Sequence, residues 1–470
     1  MLRSLLEMVG AAPELAGNVT ISGADPVIDT PFRLGETAAA VLGALGALTA
    51  EIWRLRSGEQ QRISIEVPAA MLALQSVMLQ KQWGYPIALT EPAYPTVAMY
   101  PTRDGRFIML NGGYPLLRDG LLELLRTADS ATAVGRAVAE WEAEDLEEAI
   151  ADHGLCGVVV RSATEWRAHA QGAAIAKLPA VEITRIGDAP AVSFPPVQSE
   201  RERRPLAGIR VLDLTHVIAG PTAAKSLAEQ GATVLHIYSP SRPQLPPFDM
   251  DTGHGKRTAF LDLAGQATGA RDRAVLSRLV ETADVFSESY RPRALAGLGF
   301  SPEILARLRP GIIVVSTDCY GWAGPWRYRP GFEQLAQCVS GMAVGQGSAD
   351  NPALVPMVYP NDYITGFLAA LGTVAALLRR ARDGGSWQVR VSLCRTAMLI
   401  QEQGEVDPKR RPPPPIGDDY RAQYMAECDS PIGRLSYLGP VVKMSATPGR
   451  WDLPPAPLGA HPPRWPEGGR

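Results

Sequence analysis

Two long blocks of the chain are apolar on nearly every face. Alanine and leucine fill Glu36 to Arg56, and the same texture returns from Asp362 to Arg382. Blocks of that length without a polar stripe predict helices covered on more than one side. Ser57-Gly58 stops the first and Gly384-Gly385 the second, as glycine does at helix C-termini. Alternation then predicts a strand after each, with Ile63, Ile65 and Val67 after the first and Val389, Val391 and Leu393 after the second. An offset of 326 residues superimposes the blocks. It sets Leu42, Ala44, Leu45 and Gly46 on Leu368, Ala370, Leu371 and Gly372, and Glu36 on Asp362. The shared order of carboxylate, helix, glycine stop and strand reads as an internal duplication. On local pattern alone, Asp362 is a helix-capping acid.

The remaining pattern is mixed. Residues 68–200 hold a turn and strand at Arg103–Leu110, a helix with a charged face at Trp141–Asp152 and a β-branched run at Gly157–Arg161. The polar, basic stretch Ser199–Pro205 marks a domain boundary. A strand then runs over Ile209–Leu214, a turn over Thr215–Pro221, a helix over Thr222–Glu229 and a second strand over Thr233–Tyr238. That is a β-α-β unit and implies a parallel sheet. Helices at Ala274–Thr282 and Pro302–Leu308 alternate with strands at Asp284–Glu288 and Gly311–Ser316. The fold class is α/β, an open doubly wound parallel sheet with a second, smaller α/β domain. The expected segments are 1–67, the repeated helix-strand; 68–204, the small domain; 205–402, the main domain; and 403–470, a proline-rich extended tail.

Composition narrows the function. The chain has 470 residues and a formal net charge of −3, which gives no basic footprint for a nucleic acid. Its five cysteines form no CxxC pair and no ligand cluster, so neither a disulfide framework nor a metal site is expected. The uninterrupted apolar runs Ala38–Ala50 and Phe367–Leu378 fall short of the ~20 residues of a membrane span. A cytoplasmic protein without a membrane partner is the expectation. The β-α-β unit invites a dinucleotide-binding reading, but its turn offers only Gly220 where that fingerprint needs three glycines, and its second strand ends on Tyr238 rather than an acid.

The stretch LAGIRVLDLTHVIAGPTAAKSLAEQGATVLHIY (Leu206–Tyr238) resembles the opening of family III CoA-transferases, whose superfamily includes carnitine and formyl-CoA transferases and 2-methylacyl-CoA racemases. The resemblance continues through GKRTAFLDL (Gly255–Leu263), ADVFSESYRP (Ala283–Pro292), GPWRYRPGFEQLAQCVSG (Gly324–Gly341) and the helix of Asp362. It covers roughly residues 205–400. YPTRDGRFIML (Tyr100–Leu110) and EWRAHAQG (Glu165–Gly172) resemble later parts of the same family, so its parts stand here in a rearranged and partly duplicated order. The resemblance implies acyl-CoA and carboxylic acid substrates, no metal, and a homodimer whose chains interlock.

It also implies roles. Asp362 stands where the family's nucleophilic aspartate attacks the acyl-CoA, and Glu333 where transferases carry an acid near the acyl group. His216, Val217, Ile218 and Ala219 would meet the thiol arm of coenzyme A, with His216 as a wall rather than a base. Lys256 and Arg257 would meet its phosphates, Tyr290 and Arg291 its adenine, and Leu261 would line that pocket. Two departures matter. Phe332 stands where racemases place a histidine, and a phenyl ring exchanges no proton. Arg293 replaces the glycine of the usual RPG. A racemase, and a non-catalytic acyl-CoA-binding protein, remain as rival readings. Glu36 is open as a relic, a cap or a second active residue.

Overall fold

The computed structural model describes residues 1–87, 94–197, 199, 203–243, 245–291 and 293–466. Glu200, Arg201 and Glu202 of the expected boundary, Pro292 of the family motif and the last residues of the tail, 467–470, lie outside the described residues.

Among the described residues the main sheet has seven strands. In spatial order they are Lys256–Phe260, Thr233–Tyr238, Arg210–Leu214, Val285–Glu288, Ile313–Asp318, Ser386–Ser392 and Glu182–Gly187. The first six run parallel, and Glu182–Gly187 adds an antiparallel edge. This edge strand belongs to the 68–204 stretch of sequence, so the main sheet takes its last strand from there. The central strands, Thr233–Tyr238, Arg210–Leu214, Val285–Glu288 and Ile313–Asp318, are buried on both faces along most of their length. The chain enters at Arg210–Leu214, winds outward to Lys256–Phe260, then crosses back to Val285–Glu288. The carboxyl ends of Arg210–Leu214 and Val285–Glu288 therefore flank the topological switch point, where ligands of such sheets bind.

The helix Pro360–Asp383 crosses from Ile313–Asp318 to Ser386–Ser392 and packs on the helices Ala219–Glu229 and Leu34–Ser57. A crossover helix runs opposite to its strands, so its first turn lies at their carboxyl ends. Its partner Leu34–Ser57 has the same length, 24 residues, and the same offset. The correspondence extends further than the pattern predicted. Strand Ile63–Glu66 pairs in parallel with Val19–Ser22, as Ser386–Ser392 does with Ile313–Asp318. Both strands run straight into helices, which begin at Val67 and Leu393, again at the offset. A Cβ on Gly46 would stand 3.0 Å from Ile63, and one on Gly372 would stand 2.5 Å from Val389, the matching residue.

Two expectations are corrected. The helix expected at Thr222 already begins at Ala219, because the turn closes by Ile218. The first 30 residues, whose pattern gives only weak signals, hold a strand at Val19–Ser22. The tail is not simply extended: Met425–Ser430 and Gly433–Leu438 form a hairpin, with Pro431 confined to the turn where a missing N–H costs nothing. Farther on, His461 N–H donates to Thr258 O and Thr258 N–H donates to the His461 ring, so the tail covers the edge strand of the main sheet.

Candidate active site

The turn after Arg210–Leu214 is fixed from three directions. Asp213, fully buried, accepts Thr215 N–H at 3.1 Å and the Lys256 ammonium at 2.8 Å. Lys256 Nζ also donates to Pro221 O at 2.8 Å, and His216 N–H donates to Ser289 Oγ at 3.0 Å. Within this frame Val217 sits at φ +67°, a region a β-branched residue avoids. Such strain persists only where the surroundings over-determine it, and it gathers at functional sites. Gly220 has a plain reason: a Cβ there would lie 2.4 Å from Thr215 Cβ. The helix of Asp362 closes onto this turn through Gly366, where a Cβ would stand 2.5 Å from Ala219 O.

Asp362 occupies the first turn of its helix and is 6% exposed. No donor among the described residues reaches its carboxylate. The cap of this helix comes instead from Glu333, 2% exposed, on a different helix. Glu333 accepts Asp362 N–H at 3.0 Å, Asn361 N–H and the Asn361 amide at 3.2 Å each, and Gln337 Nε2 at 2.9 Å. Burial, then the nearby Glu333 charge, pushes Asp362 well above the usual carboxylate range. Burial also raises Glu333, to about 7, against the pull of its hydrogen bonds. The arrangement gives one carboxylate saturated with donors and a neighbour with none among the described residues. Phe332 stacks on Tyr114 at 5.9 Å, and the charge of Asp362 is felt by Tyr114 and Tyr359, each raised to about 12 chiefly by burial.

The structure gathers Asp362, Glu333 and the 216–219 turn toward the carboxyl ends of the strands, but not every expected residue. Lys256 is a correction. It is 1% exposed, and its ammonium is spent on Asp213 and Pro221 O, inside the protein rather than free for a phosphate. Arg257 points to the other face of that strand, near His461. Leu261 is buried in the hydrophobic cluster around Phe286. His216 lies edge-on to Tyr290 at 4.7 Å and to Tyr238 at 5.3 Å, and burial drives its pKa far down, so it stays a neutral wall. Arg291 turns to Gly154 O at 2.9 Å. Arg242 was missed. Its guanidinium lies 4.7 Å over the Tyr290 ring, and its charge reaches His216 and Tyr114. The available signal was a basic residue four positions beyond a strand end. Tyr114 and Asn361 carried no signal, being an aromatic in a distant segment and a helix-start amide.

The sequence of residues 206–413 matches the model of CoA-transferase family III. The chain belongs to that family, as its likeness to an acyl-CoA transferase of Gibberella moniliformis establishes: 31% identity over 421 residues, 81% of this chain and 73% of that protein. The acetyl-coenzyme A transferase nodX of Hypoxylon pulicicidum is 33% identical over 355 residues, 70% of this chain and 59% of that protein. The chain thus spans between about half and three quarters of the length of such relatives. A solved structure, the hypothetical protein Rv3272 of Mycobacterium tuberculosis, is 30% identical with a TM-score of 0.39, covering 43% of this chain and 58% of that one.

Proposed function

We propose that this protein moves coenzyme A from an acyl-CoA donor to a carboxylic acid, with Asp362 as nucleophile. The observation that carries the reading is the undonated Asp362 carboxylate, backed by a helix N-terminus whose own N–H groups are taken by Glu333. As an anion, Asp362 attacks the thioester carbonyl carbon, and the tetrahedral oxyanion collapses with loss of the CoA thiolate. This leaves a mixed anhydride. The thiolate then attacks the aspartyl carbonyl, forms an aspartyl-CoA thioester and releases the donor carboxylate. An acceptor carboxylate attacks that thioester and expels the thiolate, giving a second anhydride. Attack of the thiolate on the acceptor's acyl carbon forms the new acyl-CoA and returns Asp362. Glu333 keeps the helix start in place, and burial, with the Glu333 charge second, holds Asp362 at a high pKa, which makes it the more nucleophilic once ionised. Phe332 leaves the pair without the second proton-transfer group that a racemase needs.

The experiment is to incubate the protein with acyl-CoA donors, trap with hydroxylamine and locate the adduct by mass spectrometry. A hydroxamate on Asp362, absent from Asp362→Asn, is expected. Deuterium wash-in at the α-carbon without CoA exchange would point to a racemase, and CoA binding without turnover to a binding protein; either sinks the reading. A cytoplasmic homodimer is part of the same proposal, its subunit count read by light scattering.

A further inference from the structure

A cavity of about 290 Å³ opens on the main sheet beside the ends of Val285–Glu288, Ile313–Asp318 and Ser386–Ser392. Glu288, Ser316 and Arg390 are paired across three adjacent strands and so share one face. Val389, beside Arg390, packs on Gly372 of the Asp362 helix, so the Arg390 face is the opposite one. The cavity is therefore separate from the Asp362 site.

Its lining is chemically one-sided. Arg291, Arg293, Arg327 and Arg390 line it against a single carboxylate, Glu288. None of the four has a carboxylate at ion-pair distance among the described residues. They are held by other means: Arg293 and Arg327 lie 4.3 and 4.6 Å from the Tyr328 ring, and Arg390 lies 5.3 Å from Trp322. Arg390 Nε and Trp322 Nε1 are buried donors without an acceptor among the described residues. Burial raises Glu288 to about 7, while Glu182, opposite Arg390 on the neighbouring strand, and Asp318 and Glu303 lie near enough to feel the Arg390 charge without pairing to it. The floor is apolar, formed by Leu295, Phe300, Leu305 and Val314.

Arg293 is the telling residue. It sits at φ +79°, a conformation that favours glycine. Glycine would satisfy the backbone there, yet the chain carries a long cation on a strained frame and directs it to the cavity. Such a departure is a pointer to function.

We propose that this cavity binds an organic phosphate, a phosphate monoester on an apolar or aromatic body. Guanidinium forks match the oxygens of a phosphate dianion, the two buried N–H groups supply further donors, and the apolar floor takes the body. Two sources share that chemistry, the phosphorylated nucleotide end of coenzyme A and a free nucleotide. The inference does not rest on the transferase reading.

The test uses isothermal titration calorimetry on the full chain with adenosine 3′,5′-bisphosphate, AMP and neutral adenosine. Arg293→Gly suits it because it removes the charge while relaxing the backbone, so the variant folds. Arg390→Gln is the second variant, and Asp362→Asn is the control expected to bind unchanged. The phosphorylated probes are expected to bind, adenosine not, with each arginine variant weaker by about tenfold or more. Displacement of the bisphosphate by coenzyme A but not by dephospho-CoA assigns the site to the cofactor's nucleotide end, and simultaneous binding assigns it to a free nucleotide. Absence of binding at millimolar probe, or equal affinity in a well-folded Arg293→Gly, overturns the proposal.

Discussion

Two units of this chain share a plan and differ in chemistry. Asp25 stands to the helix Leu34–Ser57 as Glu333 stands to Pro360–Asp383. Asp25 accepts the N–H groups of Gly35 and Glu36, and Glu333 accepts those of Asn361 and Asp362, which are the same positions at the repeat offset. In each unit a buried acid from elsewhere in the chain caps the helix and a second acid follows in the first turn. The second acids part company. Glu36 has 29% of its side chain exposed, holds Arg33 at 2.9 Å and accepts Asp25 N–H. Asp362 is buried, receives no donor among the described residues and begins the helix that closes onto the strained turn through Gly366. The matching position for Gly366, through which that turn closes, is Ala40 in the first unit. A common backbone thus supplies two capped helix starts, and only one is followed by a second acid that is buried and without a donor among the described residues.

The largest effect that would break this contrast concerns the acids themselves. Asp362→Asn should lower transfer by about a thousandfold or more, the scale on which loss of a covalent nucleophile acts. Glu36→Gln should leave it within about twofold in the same steady-state assay, since the exposed pair with Arg33 is worth little. A large loss from Glu36→Gln would make the first unit a working site.

Next comes the close approach. Gly366→Ala forces a methyl against Ala219 O, and overpacking of this kind costs about 1–3 kcal/mol, readable as a lower denaturation midpoint together with lost activity. The reciprocal Ala40→Gly should cost only the helix penalty of about 1 kcal/mol and leave turnover intact.

The caps come third. Asp25→Ala should destabilise the fold by about 0.5–2 kcal/mol without changing the pH profile of turnover. Glu333→Gln keeps one acceptor but removes a like charge beside Asp362. A like charge disfavours ionisation, so its removal lowers the Asp362 pKa, and the rise of kcat/KM with pH should begin at lower pH than in the wild type. An unmoved profile would separate Glu333 from the nucleophile. The smallest effect belongs to the turn. Val217→Gly should relieve strain, raise the melting temperature slightly and weaken acyl-CoA binding, measured as KM.

Much of this was legible without coordinates. The apolar blocks, their glycine stops and the offset that pairs Glu36 with Asp362 are statements of periodicity, and helix Leu34–Ser57 and helix Pro360–Asp383 appear within two residues of the boundaries expected. Successive β-α-β pattern carried the parallel sheet for the same reason. The position of Asp362 in a helical first turn followed directly from the pattern; whether its own carboxylate caps the helix did not. That depended on Glu333, 29 residues away, taking over the capping, which no local pattern encodes. Lys256 shows the converse: a basic residue in sequence is exposed by default, and only the approach of Asp213 across two strands turns it inward. The arginine-lined cavity is likewise a product of register, since Arg291, Arg293, Arg327 and Arg390 come from three separate stretches of chain. Periodicity reports what each segment buries, while pairing between distant charges is decided when the segments meet.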